Sequence, residues 1–405
     1  MGKAPRPLRP EAELLILLIG TRRRRTEAAA RIRELAGRVD FEQLAKLGMR
    51  QRLLELVGMR LEEVEGQRPP ERFRACVQES VQTTRLRATL LEHVTLELVN
   101  WLRSHGIRSA VLKGPSLGAR LFGDPGLRPS TDVDLLVAPD DFEHALRALA
   151  RRGYEHVRVD NWIGPLPLFE TSLRGQEKEW LPPIDLHWRV HWHERDFSLG
   201  LLRRAPQGRN GLPLPQPVDE FAAMLLMYGR DGLLGARGAA DAAGWWDAHE
   251  PSGEAPLLDD LVRSHPKLRR TIVAAAEVLD ELVGIPAARV VSAPRRRTAR
   301  SSLPARVQDH SMERDRRKQE AAVMLVDWLL TPREDRSDFV RRHLFLPLPA
   351  VAEAYGRDPT TGWRGRLLQW RYAAVMLARQ APGWASVLWA VRGRRHAGRS
   401  PLVES

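Results

Sequence analysis

Asp132 and Asp134 stand two residues apart at the start of an apolar run, in TDVDLLV. On a β-strand, side chains two apart share a face, roughly 6.6 Å from each other. Both carboxylates therefore point one way, while Val133 and Leu135 point the other. Two carboxylates aimed together repel unless a cation sits between them. Oxygen donors of this kind suit Mg²⁺, which takes one or two carboxylates and leaves its other positions to water and phosphate oxygens; Mn²⁺ is the alternative ion. Upstream, Lys113, Gly114 and Ser116 lie between an apolar run and a helix-like segment. Backbone N–H groups at such a turn point at an anion, and the lysine and serine add a charge and a donor. A phosphate cradle beside metal-binding carboxylates is what phosphoryl or nucleotidyl transfer requires, because that chemistry is mostly positioning and charge neutralisation.

The elements that must hold these residues are legible around them. Ile107 to Leu112 reads as a buried strand and Pro115 to Phe122 as a short helix. The turn-rich loop GDPGLRPST leads into a strand over Val133 to Val137. A helix starts at Pro139-Asp140, with Phe142, Ala145, Leu146 and Leu149 as its buried stripe and Gly153 at its end. Tyr154 to Val159 is a strand, Asn161 to Glu179 reads as irregular, and Ile184 to Val190 is a further strand. On that strand Asp185 and His187 share one face, and Ile184, Leu186 and Trp188 the other. This order predicts an α+β fold: a small mixed β-sheet core with helices packed on it.

Helical regions flank the core. Residues 1–105 read as helices, with a break at Gly66 to Pro70. They end in a long helix, roughly Arg72 to His105, whose expected apolar face is Leu86, Leu90, Val94 and Leu98, with Gly106 as its stop. The α/β core spans 106–204, and APQGRNGLPLPQP at 205–217 reads as a linker. Residues 218–405 read as a C-terminal helical domain. Its best helices are Val218 to Tyr228, with Asp219 as N-cap, then Ala236 to His249, Leu257 to Ser264, Arg269 to Val283, Glu313 to Leu330 and Trp363 to Arg379. Arg295 to Asp309 reads as a mobile loop, and the tail from Arg392 as frayed.

The pattern LKG-x(17)-DVDLLV, with Arg128 just before the acidic pair, resembles the polymerase-beta-type nucleotidyltransferase superfamily. Within it the chain is most similar to an uncharacterised bacterial branch that reads KG, a helix, then R-x-x-x-D-h-D-h-h-V. The resemblance implies a third carboxylate on a later strand. The match is Asp185 in PPIDLHW, a phrase also typical of that branch. It further implies two-metal-ion catalysis. Asp132, Asp134 and Asp185 would hold the ions, and Asp185 doubles as a base. Lys113, Gly114 and Ser116 would grip the triphosphate. Arg128 either neutralises transition-state charge or braces the acidic loop. The superfamily usually has Gly-Ser at the turn; this chain has Lys113-Gly114-Pro115-Ser116 and a longer spacing to the acidic pair. The branch also carries an Asp where Asp241 stands, and Arg230 replaces a His expected upstream of it.

Bulk properties bound the rest. With 405 residues the chain has room for two or three domains. Its single cysteine, Cys76, excludes an internal disulfide and reads as inert, in a reducing compartment. The apolar run Leu14 to Ile19 is too short to span a membrane, and no small-residue cleavage site follows it, so a cytoplasmic location is expected. The net charge of +13 favours anionic partners. However, arginine greatly outnumbers lysine and the basic clusters lack interleaved aromatics, so a nucleic-acid substrate is not favoured. His187, His191 and His193 allow a zinc reading, weakened by the absence of nearby cysteines; His187 instead reads as a neighbour of the active site. Trp245, Trp246, Trp363, Trp370, Trp384 and Trp389 fall in helical segments, where packing is the default.

The sequence thus points to transfer of NMP from a nucleoside triphosphate to a hydroxyl or phosphate acceptor, which is a small molecule, peptide or protein. One alternative is a catalytically silent or antitoxin-like module that binds a nucleotide or partner; the intact acidic triad argues against it, since carboxylates held together cost energy. The other is a nucleic-acid-modifying enzyme, which steep salt dependence of binding would favour.

Overall fold

A computed structural model describes residues 8–64, 66, 68–156, 162–163, 166–167, 169–175, 181–206, 211–249, 255–292, 316–345, 348, 351, 355 and 362–393. The expected loop at Arg295 to Asp309 lies outside them, as do most of the tail and parts of the stretches 161–179 and 205–217.

Helices come first: α1 Pro10–Ile19, α2 Arg22–Glu27, α3 Ala29–Ala36, α4 Phe41–Gln51, α5 Leu54–Glu62 and the long α6 Glu71–Ser104. The central part runs β1 Ser109–Val111, α7 Pro115–Phe122, β2 Val133–Val137, α8 Phe142–Ala150 and β3 Tyr154–His156. A two-stranded hairpin follows, β4 Trp162–Ile163 with β5 Leu166–Pro167, then β6 Glu170–Gly175 and β7 Ile184–His187. The remainder is helical: α9 Asp196–Arg204, α10 Pro217–Arg230, α11 Ala236–His249, α12 Asp259–Ser264, α13 Arg269–Val283, α14 Ala287–Val290, α15 Arg316–Leu330, α16 Arg336–Leu344 and α17 Gly362–Gly393. The fold is α+β, a small mixed sheet in a helical surround, as the order of apolar runs predicts.

The five-stranded sheet has the order β1-β2-β7-β6-β3. β2 and β7 run parallel at its centre; the other pairings are antiparallel. Strand parity divides the residues between two faces. Val133, Leu135, Val137, Ile184, Leu186 and Leu173 pack with Leu98, Phe142 and Leu149 of α6 and α8. Each such fully buried side chain contributes about 1.5–3 kcal/mol relative to exposure. A register slip of one residue would exchange this face for the polar one, so the hydrophobic pattern also fixes where Asp134 and Asp185 point.

On the opposite side, Ala110 and Leu136 join a second core that runs from Leu14 and Leu18 of α1 to Trp245, Leu279 and Val283 of α11 and α13. Helices from before and after the sheet therefore share one interior. Thr21 N–H donates to the Val283 carbonyl at 2.8 Å, and Arg22 N–H to Asp247 at 2.9 Å.

Several local expectations are corrected. The segment 161–179 contains β6, a full member of the sheet. Leu86 and Leu90 are exposed on α6; its buried stripe runs through Val77, Val81, Thr84, Ala88 and Leu91 instead. The stripe turns because the loop at Pro125–Leu127 lies on α6: a Cβ on Gly126 would come within 2.9 Å of the Val81 carbonyl. Asp219 is not an N-cap. Gln216 holds that position, Pro217 starts the helix, and Asp219 accepts from Arg204 at 2.8 and 2.9 Å. Trp245 and Trp246 are buried as expected, with Trp245 stacked on Phe221 at 4.3 Å. Trp363 and Trp370 are exposed instead, and the side chains of Trp384 and Trp389 lie outside the described residues.

Candidate active site

Register brings the two strand aspartates together. Asp134 on β2 is paired with Asp185 on β7, one residue into each strand. Neighbouring strands lie about 4.8 Å apart, and the parallel pairing sends both side chains to the same face. Across β7, Glu170 of β6 stands opposite His187, and Ser172 opposite Asp185. One sheet face thus carries Asp134, Asp185, His187, Glu170 and Ser172. Asp132 precedes β2 in the adjoining loop and is half-buried.

His187 is wholly buried between two acids. Its Nε2 donates to Asp134 Oδ1 at 3.1 Å, and its Nδ1 lies 2.9 Å from Glu170 Oε2, out of line for a linear hydrogen bond. Burial alone would lower the imidazole pKa. The charges of Glu170 and then Asp134 outweigh it and raise the value to about 9, so the ring is cationic. Glu170 is held down to about 2: burial opposes ionisation, but His187 and Arg230 overcome it. Arg230, at the end of α10, reaches Glu170 at 3.2 Å and lies over the Phe169 ring at 4.2 Å.

The two strand aspartates shift in opposite directions. Burial would raise Asp134, yet Lys113, with Nζ 4.0 Å from its Oδ1, then His187 and Arg128 hold it well below the usual carboxylate range. Asp185 is raised, first by burial; the Ser172 hydroxyl, which donates to it at 2.6 Å, opposes this, while Glu170 and Asp134 add to it. One carboxylate is thus a fixed anion, and its neighbour accepts a proton more readily than an ordinary aspartate.

The glycine turn lies alongside. β1 ends at Val111, and Leu112 N–H still donates to the Asp134 carbonyl at 3.1 Å, which ties the turn to β2. Gly114 has φ +123°, a conformation that side-chain-bearing residues rarely adopt, and it precedes Pro115 at the first position of α7. No side chain caps this helix: Pro115 has no N–H, Leu117 N–H donates to the Gly114 carbonyl at 3.3 Å, and the Ser116 N–H is the first-turn donor left for a ligand. Ser116 is half-buried in that first turn.

Arg128 joins these parts from below. Its Nε and Nη2 donate to the two Asp241 oxygens at 2.9 and 2.8 Å, and its Nη1 donates to Ser130 Oγ at 3.0 Å and to the Gly114 carbonyl at 3.3 Å. Arg237, also on α11, donates to the Pro129 carbonyl. The loop that leads to Asp132 is therefore clamped by α11, and Arg128 is buried in the clamp.

Of the residues singled out from sequence, Lys113, Asp134, Asp185 and His187 converge on one face, with Gly114 and Ser116 at its edge. Arg128 sits behind them, committed to Asp241. Glu170 and Arg230 complete the charged cluster. Sequence reasoning missed Glu170 because β6 presents only Thr171 and Leu173 inward, too short an alternation to register.

Among the described residues no three His, Cys, Asp or Glu side chains are arranged to hold a metal ion. The donor types nevertheless fit a hard divalent ion: Asp134 and Asp185 lie in register, and Asp132 stands two residues before Asp134 in the chain, all oxygen donors. They do not fit zinc with His191 and His193. His191 Nδ1 accepts from the His193 backbone N–H at 3.3 Å, and His193 Nε2 meets Thr331 Oγ1 at 3.0 Å. No helix of the described residues is long and apolar enough to cross a membrane.

The family described as "Uncharacterised nucleotidyltransferase" matches residues 37–284, more than half of the chain and all of the sheet. No curated protein matches the chain.

Proposed function

We propose that this chain, which belongs to the uncharacterised nucleotidyltransferase family, moves NMP from a nucleoside triphosphate to a hydroxyl or phosphate acceptor. The observation that carries the reading is the in-register pair Asp134 and Asp185 beside the Gly114 turn. A carboxylate pair next to an uncapped helix N-terminus that carries the Ser116 N–H and hydroxyl is complementary to a metal-bound triphosphate.

Each residue has a task under this reading. The first turn of α7, with Ser116 and Lys113, binds the β- and γ-phosphates. Asp134, Asp185 and Asp132 would hold Mg²⁺, which when bound neutralises phosphate charge and acidifies an acceptor hydroxyl. Asp185 doubles as the group that takes the acceptor proton. His187 fixes the Asp134 carboxylate through one oxygen, and Glu170 with Arg230 keeps the imidazole charged and oriented. Of the two roles open to Arg128, bracing fits its committed hydrogen bonds.

The test is incubation with each α-labelled NTP, Mg²⁺ and host lysate, followed by identification of the labelled product. Transfer is expected from the wild-type chain and is expected to vanish in Asp134→Ala with the fold retained. Turnover that persists unchanged in that variant would end the proposal.

A second reading, a nucleotide- or partner-binding module without turnover, has one observation in its favour. Asp134 is already neutralised by His187 and Lys113 without any metal. Tight NTP binding with no transfer to any lysate component would select it.

A further inference from the structure

Helix α17 carries apolar residues on two faces. One face is covered: the helix packs on α15 and α16, and Gly365 and Ala373 are buried there. The other face is largely open, with an edge-to-face ring contact between Trp370 and Phe345 at 4.8 Å. Trp363, Leu367 and Trp370 are 71, 62 and 64% exposed, and Ala374 and Leu377 continue the line in steps of four and three residues. A helix that is apolar all round is normally buried on all sides, and a contiguous exposed apolar stripe marks a binding surface.

The charge on this helix selects what covers it. Between Gly362 and Gly393 there are five arginines and no acid. Arg364, Arg366 and Arg371 flank the open stripe and are themselves exposed. A second copy of the chain would bring arginine against arginine across an isologous contact. An anionic surface has the opposite sign. Tryptophan and leucine between arginines is the composition of a helix that lies in the interfacial plane of a bilayer, its apolar side in the acyl boundary and its basic flanks among anionic headgroups. The net charge of +13 acts in the same direction. α15 and α16, which pack on α17, also expose Leu329 and Val340.

We propose that the Trp363–Leu377 face of α17 docks the protein on an anionic membrane surface. This mode is peripheral, in keeping with the lack of a membrane-crossing helix among the described residues. It does not depend on the catalytic reading.

The test uses the full chain and vesicle co-sedimentation, with phosphatidylcholine alone and with phosphatidylcholine mixed with phosphatidylglycerol. The wild-type protein is expected to sediment with the anionic vesicles only. The triple variant Trp363→Ser, Leu367→Ser, Trp370→Ser changes exposed positions, and circular dichroism checks its fold; its partitioning is expected to fall at least about tenfold. Arg364→Glu, Arg366→Glu, Arg371→Glu is expected to fall by a similar factor through charge reversal. Three results overturn the proposal: no binding of the wild type to anionic vesicles; equal binding by the serine variant, which would mean adsorption through overall charge; or a wild-type dimer in light scattering that the serine variant converts to monomer, which would make a second copy the occupant.

Discussion

Arg128 and Asp241 form a buried bidentate ion pair, 113 residues apart in sequence, with both donor distances below 3 Å. The pair joins the loop before β2 to α11, and through Gly114 and Ser130 it also joins the Gly114 turn to the loop before Asp132. An element of the C-terminal helices therefore holds the geometry of the sheet edge. Burial works against the Arg128 charge, but Asp241, with Asp134 and Asp132 behind it, raises its pKa above the usual value.

Removing one partner of such a pair leaves the other charge buried and uncompensated, which typically costs about 3–5 kcal/mol. Asp241→Asn and Arg128→Met are each expected to lose stability of that order in urea unfolding. The double variant is expected to lose less than the sum, because the stranded charge disappears. Additive losses would mean that the two side chains are not coupled as the geometry indicates.

Glu170 yields a second prediction. It anchors both Arg230 and the buried imidazolium of His187, and His187 in turn orients Asp134. Glu170→Gln keeps the shape and removes the charge. If the site transfers nucleotides, kcat is expected to fall about 10–100-fold, the usual range for a group that orients a ligand residue, while nucleotide KM changes little. A purely structural role would instead lower stability and leave kcat of the folded fraction intact.

Much of this arrangement was legible in the sequence, for physical reasons. β2 and β7 are buried on the side that their apolar residues define, so alternation of Val133, Asp134 and Leu135 fixes both strand and face. α11 and α13 were legible to the residue because each is bounded by clear breakers and carries a regular apolar face. β6 was not, because half of its side chains serve the polar cluster rather than the core. The exposure of Leu86 and Leu90 was also hidden, because the periodicity of α6 admits two faces and only the packing of a distant loop chooses between them. The Arg128–Asp241 link is a tertiary pairing between separate elements, which no local pattern specifies.

A pH effect on stability follows from His191. The ring is buried; its Nδ1 accepts from the His193 backbone N–H, and its Nε2 faces Thr271 Oγ1 at 3.5 Å. Burial first, then the charges of His193, Arg230 and Arg189, push its pKa well below the ordinary imidazole value of 6.5. The unfolded chain therefore binds a proton below pH 6.5 that the folded chain refuses, so this group makes stability fall as pH drops through that value. Replacing it with an uncharged side chain, His191→Gln, is expected to flatten the pH dependence of Tm below 6.5 relative to the wild type. An identical slope in both proteins would assign the acid sensitivity elsewhere.

The Gly114 turn gives the last prediction, which separates binding from chemistry. Lys113 stands 4.0 Å from Asp134 and is only partly buried, so its ammonium can turn between that carboxylate and an incoming phosphate. Ser116 lies in the first turn of α7, whose N–H groups no side chain caps. A hydrogen bond to a charged group contributes about 1.5–3 kcal/mol, which corresponds to roughly 10–150-fold in affinity. Lys113→Met is expected to weaken NTP binding within that range, with little change for a nucleoside lacking phosphates. Ser116→Ala is expected to do the same more weakly, at the lower end or below, because the backbone N–H at that position remains. Calorimetric titration with the triphosphate and with the nucleoside makes the comparison directly. Equal loss for both ligands would move the phosphate site away from the Gly114 turn, and no loss for either would remove the turn from nucleotide binding altogether.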